Sequence, residues 1–200
     1  MNYRAGMPDN SPNVIVSNTA HPLKSALILL GCTQLPLKFV KIYKDNVSPL
    51  KRFVLRFLNI EPLVISEDVR QRKRSLHKIW KSHRELLTHN YSLVFLTKAD
   101  NGKRKLSKSP ARLSFHTESV FDFNLNVKIF PVRFEEKDEY TTIVNFLNPV
   151  CIAKYAQEYK NYPAHTIRHI TQQIEEVLYD YHPILNESVL NPSDCEKILV

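Results

Sequence analysis

Apolar and polar positions fall in blocks along this chain, and the blocks predict strands and helices in turn. Val14-Ile15-Val16 is a β-branched run, the mark of a buried strand. Ser17-Asn18-Thr19 ends it with side chains that close turns and cap helices. Pro22 suits a first helical turn, and Leu23, Leu27 and Leu30 recur at helical spacing. The opening stretch reads as strand, polar turn, helix. Its turn lies at the carboxyl end of a strand, where open α/β sheets bind ligands.

The blocks that follow keep this rhythm. Leu37–Tyr43 alternates apolar and basic residues, as a half-exposed strand does. Pro49 opens a helix with Leu50, Phe53, Val54, Phe57 and Leu58 on a core-facing side, and Pro62-Leu63-Val64-Ile65 is a short buried strand. Val69–Leu87 is an amphipathic helix whose apolar side holds Leu76, Ile79, Trp80, His83, Leu86 and Leu87. Its other side carries Arg70, Arg72, Lys73, Arg74, Lys78, Lys81 and Arg84 with no acid between 70 and 84. Tyr91–Leu96 is the best central strand, and Ser107–Phe115 starts a further helix. Val127–Arg133 is a strand holding Pro131, which belongs at a bulge or an edge. An acidic turn at 135–139, a β-branched strand at 141–147 and a short helix with Ile152, Tyr155, Ala156 and Tyr159 come next. Thr166–Tyr181 closes the domain with Ile167, Ile170, Ile174, Val177 and Leu178 on one face.

This alternation predicts a single α/β domain over residues 13–182: a central mixed sheet of about six or seven strands flanked by helices, with strands 14–16, 93–96 and 127–132 as neighbours or near neighbours. Residues 1–12 read as a flexible arm and 183–200 as a tail.

Composition narrows the function classes. Three glycines exclude any Gly-rich phosphate loop, and no window approaches the ~20 apolar residues of a membrane span. Cys32, Cys151 and Cys195 are far apart and odd in number, which suggests no disulfide framework and a reducing, cytoplasmic setting. The polar first twelve residues, with Pro8 and Pro12, predict no signal peptide. His165 and His169 are four apart, as helical metal ligands are, but no third ligand is in view and neither metal nor cofactor is expected. The net charge of +8 points to an anionic partner: a membrane surface met peripherally, nucleic acid or an acidic protein. That charge gathers in two clusters. One is the helix face with Arg72, Lys73 and Arg74; the other is the stretch with Lys98, Lys103, Arg104, Lys105, Lys108 and Arg112, opposed only by Asp100. Each is also what a solvated surface looks like.

In order and spacing, four of these blocks resemble the motif blocks of the glycerolipid acyltransferases, the lysophosphatidate acyltransferase (PlsC-like) family. In that family a strand ends in Asn-His and an Asp follows after four residues. The His deprotonates the acceptor hydroxyl and the Asp orients it. Asn18 matches the Asn, but Thr19 stands in the His slot and Lys24 in the Asp slot. Phe39–Ile65 is similar to the second block, whose phosphate-holding Arg is here Ile65 or Ser66. The third block's Phe-Pro-Glu-Gly reads Phe95-Leu96-Thr97-Lys98, while its basic loop and Ala111-Arg112 are retained. Pro131 and Asn148-Pro149 fit the fourth.

The resemblance implies the fold of an acyltransferase without its base, its orienter, its phosphate Arg and its Glu-Gly pair. The leading expectation is a catalytically degenerate, acyltransferase-like protein, serving as a binding or scaffold subunit at an anionic surface or in a larger protein assembly. Asn18, Thr19, His21, Lys24, Thr97 and Lys98 are then vestigial positions. Two alternatives stand beside it. One is an active acyltransferase with a rewired site, in which His21 acts as base and Asp45 or Asp100 orients it. The other is a basic RNA-binding module.

Overall fold

The computed structural model describes residues 11–19, 22–43, 48–50, 60–64, 80–98, 106–138 and 141–179. Seven strands form one sheet: β1 (Asn13–Thr19), β2 (Leu37–Tyr43), β3 (Ile60–Val64), β4 (Ser92–Lys98), β5 (Lys128–Glu136), β6 (Thr142–Phe146) and β7 (Val150–Cys151). The spatial order is β3-β2-β4-β1-β5-β6, with β7 also on β5. Pairing is parallel from β3 through β5, and β6 and β7 run antiparallel to β5. The expected neighbours are therefore neighbours: β1 lies between β4 and β5, with Val14 in register with Leu93 and Ile129.

The β-branched run is central because it has no wet side. Val14, Ile15 and Val16 are fully buried, and successive residues enter opposite cores. Val14 and Val16 join Leu93, Phe95 and Ile129 in one cluster, and Ile15 joins Val94 and Phe130 in the other. The first cluster is covered by a helix over residues 80–88 (α2), by α3 (Ser109–Val120) and by α5 (Pro163–Tyr179). A 3-10 turn (Ile152–Tyr155) and the short α4 (Ala156–Asn161) lead into α5. The second cluster is covered by α1 (Pro22–Cys32) through Ala26, Leu29 and Cys32.

This division follows from connectivity. The chain moves one way along the sheet from β1 over β4 to β2, and the other way from β4 over β1 to β5. Right-handed crossovers in opposite directions place α1 and α3 on opposite faces. The helices that follow the adjacent strands β1 and β4 thus lie on opposite faces, and the carboxyl ends of strands at such a switch point are the usual ligand position.

Several local expectations are corrected. In α1 the leucine stripe faces outward: Leu27 and Leu30 are exposed, and Ala26, Leu29 and Cys32 are buried. The helix is apolar nearly all round, so spacing alone selects no face, and the smaller Ala26 meets the sheet. β2 is no half-exposed strand; it lies between β3 and β4 with Leu37, Phe39 and Val40 buried. Leu50, assigned to a core face, is exposed, and the rest of that helix lies outside the described residues. Val177 is exposed beside the buried Ile174 and Leu178. Residues 135–136 extend β5, so the turn begins at Lys137, whose N–H bonds to Thr141 O, while Thr141 N–H bonds to Asp138 Oδ1.

Pro131, expected at a bulge or an edge, sits inside the sheet opposite Val16. Its carbonyl accepts from Leu147 N–H at 2.9 Å, so its missing donor faces the break between β6 and β7. Ser11 and Pro12 are not part of a loose arm: Pro12 is buried and its carbonyl accepts from Lys128 N–H at 3.1 Å. Residues 1–10 and the tail 183–200 lie outside the described residues.

Candidate functional site

The strand register sets out this end of the sheet. Asn18 pairs with Thr97 of β4 on one side and Arg133 of β5 on the other, and Thr19 pairs with Lys98. Asn18, Thr19, Thr97 and Lys98 are thereby brought together in the backbone at one end of the sheet; His21, Asp45 and Asp100 lie outside the described residues.

The chemistry there is closed on itself. Thr19 shares the sheet face of Ile15 and Ser17, the face covered by α1. Its Oγ1 lies 2.6 Å from Ser25 Oγ, and both residues are buried. The two hydroxyls satisfy each other, and neither takes up a proton near neutral pH. Lys24 reaches across to β5, its Nζ 2.8 Å from Glu136 Oε1. Next to it, Arg133 Nε lies 3.3 Å from Glu135 Oε1.

Ser25, Arg133, Glu135 and Glu136 were not singled out in the sequence. Only Ser25 carried a signal, as a small polar residue inside an apolar helix. The carboxylates were hidden because the acidic run read as a turn. The Lys24–Glu136 pair is about half exposed on both sides, so Lys24→Ala is expected to change stability by less than about 1 kcal/mol. Urea denaturation of the variant checks this.

The basic clusters are described in part. Arg72, Lys73, Arg74, Lys103, Arg104 and Lys105 lie outside the described residues, and Lys98 is placed by its backbone at the end of β4. Lys108, at the N-cap of α3, and Arg112, one turn on, are exposed. Arg112 lies over the Trp80 ring at 6.0 Å, and the His116 ring meets Trp80 edge-on at 5.3 Å. The described helix α2 and α3 are thereby joined side by side.

The histidines resolve into structural roles. His83, expected at the core edge, is fully inside it, and burial with Lys38 nearby lowers its pKa to about 4. His165 and His169 do gain a carboxylate neighbour, Glu158 Oε1 at 3.5 and 3.6 Å, and Gln173 Nε2 lies 3.2 Å from His169 Nε2. These contacts tie α4 to α5. Among the described residues no group of three is arranged to hold a metal ion. Cys32 is a buried thiol, and Cys151 is buried as well. No described helix is long and apolar enough to cross a membrane.

No family model, curated protein or solved structure matches the chain.

Proposed function

We propose that this chain is a catalytically degenerate, acyltransferase-like binding subunit, serving at an anionic surface or within a larger protein assembly. The observation that carries the reading is the pair of substitutions at and just beyond the carboxyl end of β1. Thr19 stands in the base position bonded to Ser25, and Lys24 stands in the orienter position bonded to Glu136. The frame around them supports it: parallel β4, β1 and β5, with the polar end of β1 at the switch point of the sheet.

The purified chain is expected to transfer no acyl group from acyl-CoA or acyl carrier protein to lysophosphatidate. Loss of a positioned base typically costs a factor of ~10²–10⁴. His21→Ala is expected to leave the background rate unchanged. Turnover above background that disappears in His21→Ala would replace this reading with that of an active enzyme built on a rewired site.

A further inference from the structure

From the cationic face formed by α2 and α3 we infer a docking surface for an anionic phospholipid bilayer. This rests on the reading of the chain as a binding module but not on its loss of catalysis. Lys81, Lys108 and Arg112 are exposed and Arg84 half-buried, and the ion pairs among the described residues engage none of the four. Glu85 is the one exposed acid on the described parts of these two helices, and the sequence from 70 to 84 contains none. The contacts among Trp80, Arg112 and His116 hold the helices together, so their charges form one surface.

Along α3 the outward positions are Lys108, Arg112, His116 and Val120, four residues apart. Val120 and the following Phe121 are exposed large apolar side chains. Two exposed cations, Lys108 and Arg112, in line with exposed apolar residues fit lipid headgroups with a shallow apolar contact beneath them. Nucleic acid fits less well: a strand needs open aromatic faces for its bases, and the Trp80 ring is engaged by Arg112 and His116.

The test is co-sedimentation of the full chain with vesicles of phosphatidylcholine alone and of phosphatidylcholine with phosphatidylserine, at low and at physiological salt. Binding is expected only to the anionic vesicles, and to weaken as salt rises. Lys108→Glu with Arg112→Glu is expected to weaken it at least about tenfold. Lys154→Glu with Lys160→Glu makes the same change in net charge elsewhere and is expected to have little effect. Circular dichroism confirms that both double variants are folded. The surface is overturned by absent binding at low salt, by equal losses in the two double variants, or by an RNA oligonucleotide that binds tighter and displaces the vesicles. Acyl transfer dependent on His21 would overturn the preceding reading and leave this surface intact. Failure to bind vesicles without acyl transfer would do the reverse.

Discussion

Glu118→Ala is expected to destabilise the protein by about 3–5 kcal/mol, the loss incurred when a buried carboxylate leaves two backbone donors unpaired. Glu118 is fully buried in the last turn of α3. One carboxylate oxygen accepts the N–H of buried Val127, and the other accepts that of Leu125 at 3.2 Å. Its carbonyl receives the N–H groups of Phe121 and Phe123. It therefore organises the whole turn between α3 and β5, where Asp122, Phe123 and Asn126 all take positive φ. Positive φ is strained for a residue as large as Phe123, so the turn depends on these bonds. Glu118→Gln should fall between wild type and Ala, because its amide keeps one acceptor and opposes a donor to the other N–H. Burial raises the Glu118 pKa, and the two backbone bonds only partly offset this. The sign follows: the folded state holds this proton more tightly, so its contribution is full below the ordinary carboxylate pKa and declines as pH rises past it. Urea midpoints of the three proteins across pH check both the size and the slope.

The second large effect is acid sensitivity located at His83. Its side chain is buried with no hydrogen-bond partner for Nε2 among the described residues, and its pKa falls from 6.5 to about 4. Between those values the unfolded chain binds a proton that the folded one excludes, so stability is lost as pH falls from 6.5 towards 4. At 1.36 kcal/mol per pH unit, the loss is about 3 kcal/mol. This slope is opposite in sign to that of Glu118, so the two contributions oppose each other wherever their pH windows overlap. His83→Leu is expected to remove the histidine component while staying folded at neutral pH. An unchanged pH profile in His83→Leu would show that the acid transition arises elsewhere.

These two groups mark how far the sequence could be read. The strands were legible because Val14–Val16, Leu93–Phe95 and Ile129–Phe130 must be buried on both faces, and few other structures accept such runs. The expectation that they adjoin rested on the alternation of strand and helix, and the topology agrees. The end of β1 was legible only in part: Ser17-Asn18-Thr19 read as the break after the strand, and they form its last three residues because both neighbouring strands extend beside them. What stayed hidden depends on partners distant in sequence. Lys24 gives no sign of Glu136, nor does the outward leucine stripe of α1 reveal that Ala26 faces the sheet. Glu118 was silent because a carboxylate late in a helix opposes the macrodipole and ordinarily marks a solvated surface. His83 was placed on the correct side of its helix but at the wrong depth, since periodicity gives direction and not distance from solvent.

The position of β1 also bears on how the protein is made. The first strand of the chain becomes the middle of the sheet, and its two neighbours are Ser92–Lys98 and Lys128–Glu136. A ribosome adding ~5–20 residues per second completes the second neighbour on the order of ten seconds after β1. For that interval an apolar strand designed for two partners has neither, and the loop that must close around it grows with every residue added. Synthesis thus leaves the buried β-branched strand waiting longest for its partners, which makes it a segment that a chaperone binding extended hydrophobic peptides would meet early.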